Sequence, residues 1–216
     1  MQKFIVIDTE TTNDIDFPLC YDIGFAVVDK KGRVYKKFSF VVAEIFFDKE
    51  LMSSAYFSEK IPQYRKDIKK GKRKVRQIMT IRRILYQVCK KYNISVIMAH
   101  NARFDYKSLS LTLRYITKSK FRYFLPYGVS VYDTLKMSRR FFAKNYKYIQ
   151  YCKKNGFVTK NNKPKFTAEI IYRYITKDNS FIESHTGLED VLIEKEIFSY
   201  LYQRKRFDCG VLYARW

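Results

Sequence analysis

The stretch Phe4-Ile5-Val6-Ile7-Asp8-Thr9-Glu10-Thr11-Thr12 constrains this chain more than any other. An apolar run rich in β-branched residues reads as a strand buried on both faces. Residues i and i+2 of a strand project to the same side. Asp8 and Glu10 therefore stand side by side where the buried strand ends. Like charges repel there, and the pair is tolerable when a cation lies between them. The stretch points to a divalent metal. A D-x-E alone is a weak signal: Asp48-Lys49-Glu50 repeats it ahead of a mixed segment, and a solvated strand end is the alternative for Asp8 and Glu10.

Two further carboxylates stand at junctions of the same kind. Ile94–Met98 reads as a short buried strand, and His100-Asn101-Ala102-Arg103-Phe104-Asp105 as the turn that follows it. Asn101 is the expected N-cap of a helix running to about Ile116, with Asp105 in its first turn. Thr186-Gly187-Leu188-Glu189 fits a capping box, which makes Thr186 the N-cap of the last helix. Asp190 then lies in the first turn and His185 just outside it, both leaning to one helix end. Four carboxylates at element ends, with oxygen as the only ligand atom, suit Mg²⁺ or Mn²⁺. Two such ions about 3.5–4 Å apart clamp the attacking and leaving oxygens of a phosphoryl transfer. A histidine, with its unperturbed pKa of about 6.5, suits proton acceptance from water near neutral pH.

The remaining pattern is that of an α/β domain. Tyr21–Val28 and Val34–Val42 read as strands joined by the hairpin turn Asp29-Lys30-Lys31-Gly32, which gives an antiparallel meander with the first strand. Asp48–Glu59 is mixed and helical in part. Lys60–Arg76 carries nine basic residues against the single acid Asp67. Ile78, Ile81, Ile84, Leu85 and Val88 recur at helical spacing, to about Tyr92. Val129–Tyr132 predicts another short strand, Leu135–Phe142 and Phe166–Ile175 helices, and the basic, aromatic stretch Ala143–Lys165 an insertion or long loop. One domain is expected over residues 1–205, with a weakly patterned tail over 206–216.

Lys and Arg number 43 against 21 Asp and Glu, a net charge of +22. That surplus points to nucleic acid as the partner ahead of an anionic membrane surface. No apolar run approaches the roughly 18 residues of a membrane span. Functional-looking residues begin at Asp8, which leaves no room for a signal peptide, so a cytoplasmic protein is expected. Cys20, Cys89, Cys152 and Cys209 are scattered, form no C-x-x-C and read as reduced thiols.

The segments I-D-T-E-T-T, H-N-A-R-F-D and H-T-G-L-E-D resemble the three motifs of the DEDDh 3′–5′ exonucleases. That group includes the proofreading epsilon subunit of bacterial DNA polymerase III, ribonuclease T and oligoribonuclease. Order and spacing match, and Tyr132-Asp133-Thr134-Leu135 resembles the strand-to-helix junction between the second and third motifs. The resemblance implies a ribonuclease-H-like α/β fold, a five-stranded mixed sheet with helices on both faces. It implies that Asp8, Glu10, Asp105 and Asp190 bind two Mg²⁺ or Mn²⁺ ions, with His185 as general base. It places Thr9, Thr11, His100, Asn101, Arg103 and Phe104 around the substrate. The implied activity is hydrolysis from the 3′ end of single-stranded or frayed nucleic acid, DNA ahead of RNA, releasing nucleoside 5′-monophosphates. A DNA polymerase or replication complex is the implied protein partner. Two departures stand out: Asn13 where glycine is common, and Arg103 where a small residue is common.

Alternatives remain at several positions. Tyr174-Ile175-Thr176-Lys177-Asp178 matches the tyrosine variant of the third motif, although its second half reads as a loop. Asp133 is either a fifth acid or a helix N-cap. Lys60–Arg76 either tracks a nucleic-acid backbone or is a solvated surface. Phe141, Phe142, Tyr146, Tyr148, Tyr151 and Phe157 either stack unpaired bases or pack as core. An exoribonuclease and an inactive nucleic-acid-binding module are the competing functions.

Overall fold

The computed structural model describes residues 1–12 and 16–204, together with the backbone of 211–212. Its strands are β1 (Lys3–Thr11), β2 (Cys20–Asp29), β3 (Val34–Val42), β4 (Lys74–Arg76), β5 (Val96–Ala99), β6 (Ser130–Asp133) and β7 (Val211–Leu212). Its helices are α1 (Ala43–Phe46), α2 (Lys49–Ser53), α3 (Ile61–Lys69), α4 (Ile78–Tyr92), α5 (Ala102–Thr117), α6 (Thr134–Phe142), α7 (Tyr146–Lys154), α8 (Ala168–Thr176) and α9 (Gly187–Gln203), with a 3₁₀ turn over Ser58–Lys60.

The sheet order is β4-β3-β2-β1-β5-β6-β7. β1, β2 and β3 form the antiparallel meander, and β5 and β6 run parallel to β1. These five are the strands expected from the sequence. Two short edge strands extend them: β4, parallel to β3, and β7, antiparallel to β6. β4 emerges from the basic run, where three residues with charged ends give no apolar signal.

Side-chain alternation along β1 sorts the molecule into layers. Phe4 and Val6 face Val191 and Phe198 of α9, together with Ala26, Val28 and Met98. Ile5 and Ile7 face the opposite way, into a larger core with Phe25, Ile81 and Leu85 of α4, and Leu109 and Leu113 of α5. Helices thus cover both faces, and the α/β, ribonuclease-H-like class is what the structure shows.

A third core joins α6, α7, α8 and α9 around Met137, Phe142, Tyr148, Ile171 and Ile197. The segment 143–165 is therefore no long loop. Asn145 caps α7 by accepting from the Tyr148 N–H, and Val158 bridges Pro164 beyond the helix. Tyr148 packs 4.6 Å from Phe142, and its hydroxyl donates to the Lys165 carbonyl at 2.6 Å. Most of the segment's aromatic residues are core, with Tyr146 left exposed. Cys20, Cys89 and Cys152 are buried free thiols; Asn13 and Cys209 lie outside the described residues. Among the described residues, no helix is long and apolar enough to cross a membrane.

Candidate active site

Asp8 and Glu10 continue the Phe4–Val6 face of β1 toward α9. They pair across to Gly24 and Asp22 of β2, and the register shifts just past Glu10, a local irregularity at the strand end. One carboxylate oxygen each from Asp8, Glu10 and Asp190 falls within 4.8 Å of the others.

Asp190 reaches this point because the start of α9 lies directly on β2. A Cβ placed on Gly24 would stand 2.2 Å from the backbone carbon of Gly187, so only glycine permits the approach. Asp22 fixes the junction: its Oδ2 accepts from the Gly187 N–H at 2.9 Å, the Tyr64 hydroxyl at 2.6 Å and Arg73 Nη1 at 3.1 Å. Arg73 also pairs with Asp67 and Glu189, and its guanidinium lies 4.6 Å above the Tyr64 ring. It is 3% exposed, so one cation of the basic run is an interior strut. Thr186 is the N-cap residue, as the sequence predicts, but the capping box is rearranged. Its hydroxyl donates to Glu189 at 2.8 Å, and its N–H donates to Asp190 Oδ2 at 2.9 Å, because Arg73 draws the Glu189 carboxylate away.

Asp105 enters from the other layer. Thr9 points to the α5 side of β1, and its hydroxyl donates to Asp105 Oδ1 at 2.9 Å. Asn101 is not the side-chain cap expected of it. It adopts a left-handed conformation at φ 81°, and its side chain makes no cap bond. Its N–H donates to Asp133 Oδ1, which also accepts from the N–H groups of Leu135 and Lys136. Asp133 is thus the N-cap of α6. His100 is held in the turn by its Nε2, which donates to the Phe166 carbonyl at 2.8 Å, while its backbone N–H donates to Glu194 Oε1 at 3.1 Å.

These groups line a cavity of about 230 Å³ with Thr9, Asn101, Phe104, Glu183 and His185. Thr11 and Arg103 do not line it: Thr11 is buried beside the strand end, and Arg103 is exposed. The motifs miss Glu183 and Glu194. Glu194 stands one helical turn beyond Asp190, a spacing that places both on one face. Glu183 lies in an irregular segment with no periodic signal.

Among the described residues, six carboxylates and no Lys or Arg line the cavity. Burial, and then the Asp190 charge, pushes Glu10 up to about 9. Burial, and then Glu183, pushes Asp190 up to about 8. Burial lifts Asp105 to about 7 against the opposing Thr9 hydrogen bond. Asp8 rises well above the usual range through burial and then Glu194. Such a cluster is short of positive charge, and its all-oxygen donor set fits a hard divalent cation. His185 sits at the rim in a left-handed conformation, φ 52°, with its ring stacked on Phe57 at 4.2 Å. Burial lowers its pKa below the ordinary imidazole value.

No protein-family model and no curated protein sequence matches the chain. Its architecture nevertheless recurs among solved exonucleases. Exonuclease X, in complex with duplex DNA bearing a 5′ overhang, shares 15% identity over 95% of both chains, with a TM-score of 0.53. A full-length 3′-exonuclease shares 10% over 95% of this chain and 84% of its own, with a TM-score of 0.59. Pop2p of S. pombe, in a form with Mg²⁺ and Mn²⁺ bound, shares 16% over 93% of this chain and 83% of its own, with a TM-score of 0.51. The likeness is one of fold: the chain has the ribonuclease-H-like architecture shared with these solved structures.

Proposed function

We propose that this protein is a divalent-metal-dependent 3′–5′ exonuclease that releases nucleoside 5′-monophosphates from single-stranded or frayed 3′ ends of DNA. The observation that carries this reading is the convergence of Asp8, Glu10 and Asp190 in a cavity that also holds Asp105 and His185 and, among the described residues, no Lys or Arg. Asp8, Glu10, Asp105 and Asp190 fit a pair of Mg²⁺ or Mn²⁺ ions, which when bound acidify coordinated water and offset charge on the phosphodiester. Thr186 and Thr9 orient Asp190 and Asp105, so the ligands are positioned before metal arrives. His185 accepts the proton of the attacking water, and its lowered pKa keeps the imidazole neutral for that role. Phe104 and Asn101 line the cavity where the terminal nucleotide enters.

Charge supports a nucleic-acid substrate. A groove of about 430 Å³ on the β3–β4 side is lined by Lys36, Lys37, Lys72, Lys74 and Arg76, with Phe38 and Phe40 beside them. DNA in the Exonuclease X structure, and Mg²⁺ and Mn²⁺ in that of Pop2p, support the same chemistry here. A polymerase or replication complex as partner rests on the motif resemblance alone.

The test uses matched 5′-labelled DNA and RNA oligonucleotides, single- and double-stranded, with Mg²⁺ or Mn²⁺. The expected result is a ladder shortening from the 3′ end, with DNA consumed faster and mononucleotides released. Asp8→Ala removes the ladder and keeps DNA binding. Internal cuts, or full activity in Asp8→Ala, overturn the reading. Faster RNA loss transfers the substrate to RNA.

A further inference from the structure

Glu194 differs from the other acids of the cavity. It is 3% exposed, and no motif of the sequence contains it. One oxygen is anchored: Oε1 accepts from the His100 N–H at 3.1 Å. The other, Oε2, is shut off from solvent and has no hydrogen-bond partner. The side chain lines the cavity with Asp8, Asp105 and Asp190.

A bare carboxylate oxygen in such a place lacks something. No described Lys or Arg lines the cavity to supply an ammonium or guanidinium partner. A proton on Oε2 would neutralise Glu194 alone and leave the other five carboxylates of the cavity without a counter-charge. A cation shared with the neighbouring carboxylates does resolve it.

We infer that Glu194 is a fifth carboxylate of the metal centre, its Oε2 supplying a ligand to a divalent ion in the cavity it lines with Asp8, Asp105 and Asp190, while His100 fixes the carboxylate from behind. The inference rests on the metal-dependent reading of the site above. It adds that the second motif and the last helix are coupled through the ion: the His100 backbone, in the turn before α5, sets the position of a ligand on α9.

The experiment is a Mn²⁺ titration of the full chain, following free Mn²⁺ by electron paramagnetic resonance, without nucleic acid. Glu194→Gln keeps the shape and the acceptor for His100 and removes the charge. Mn²⁺ affinity should fall about 10–100-fold, as for loss of a supporting ligand. Metal-free Glu194→Gln should melt no lower than the parent, since one member of a mutually repelling acid cluster is gone. Glu196→Gln, on the same helix but outside the cavity, should leave Mn²⁺ affinity unchanged. If Glu194→Gln does not fold, Glu194→Asp, which retracts the oxygen and keeps the charge, should weaken Mn²⁺ in the same direction. Unchanged affinity in a folded Glu194 variant overturns the inference, as does an equal loss in Glu196→Gln. A parent protein that binds no Mn²⁺ overturns the metal-dependent reading itself.

Discussion

Asp22 on β2 accepts the backbone N–H of Gly187 at 2.9 Å, and this bond ties the middle of the sheet to the first residue of the last helix. The carboxylate that does so is itself held by Arg73 and Tyr64. Asp190, three residues on, is carried to Asp8 and Glu10 by this junction and not by contacts of its own side chain across the strand.

The junction can be wedged open. Gly24→Ala sets a methyl group 2.2 Å from the Gly187 backbone, which has no flexible side chain to yield. We expect a loss of about 3 kcal/mol or more by urea unfolding. Folded protein that remains should bind Mn²⁺ more weakly, because Asp190 is displaced. A neutral effect on both readings contradicts the placement of α9.

Arg73 separates from the other basic residues of its run. Arg73→Met strands Asp22 in the interior, and we expect about 3–5 kcal/mol of destabilisation. Lys72→Ala and Lys74→Ala, both exposed in the β3–β4 groove, should leave stability within about 0.5 kcal/mol. Each should instead reduce the slope of log affinity for single-stranded DNA against log salt by about 1. Equal behaviour of all three variants in either assay sinks the distinction.

His185→Ala should lower the rate of mononucleotide release about 10²–10⁴-fold with little change in DNA affinity. In the parent, the base must be neutral to accept a proton. Its pKa lies below the ordinary value through burial, so activity should hold as pH falls past about 6.5 and decline only at lower pH. At saturating metal, an acid limb above that value contradicts the assignment.

Metal and pH are linked with a definite sign. Glu10 moves up to about 9 in the metal-free fold and Asp190 up to about 8, against about 4 for both in the unfolded chain. The folded form therefore binds more protons between those values, and metal-free stability falls as pH rises through that window. Metal displaces the protons, so the gain in melting temperature from Mn²⁺ should be larger near pH 8.5 than near pH 5.5, about a full pH window apart. A metal-free melting temperature that climbs across this range contradicts the clustering of the acids.

Legibility in the sequence followed the strength of local signals. β3 over Val34–Val42 and α4 from Ile78 to Tyr92 were readable from alternation and helical spacing. The clustering of Asp8, Glu10, Asp105 and Asp190 was readable because each stands where a strand ends or a helix begins. β4 was not, since Lys74 and Arg76 look like surface, and α7 was not, since Tyr148 and Cys152 are diluted by Lys and Asn. Arg73 is indistinguishable in sequence from its eight basic neighbours, and only the carboxylates of Asp22, Asp67 and Glu189 make it interior. Asn101 was expected to cap with its side chain, but the Asp133 carboxylate takes its N–H, a partner 32 residues away.

The Asp22–Gly187 bond spans 165 positions of sequence. Closing so long a loop is slow and comes late in folding. During synthesis β1 emerges before α9, so a ribosome-bound chain lacking α9 has Asp8 and Glu10 but no Asp190 or Glu194 beside them. Because the acids are divided between β1 and α9, the cluster and any metal site built from it exist only once those two elements have docked.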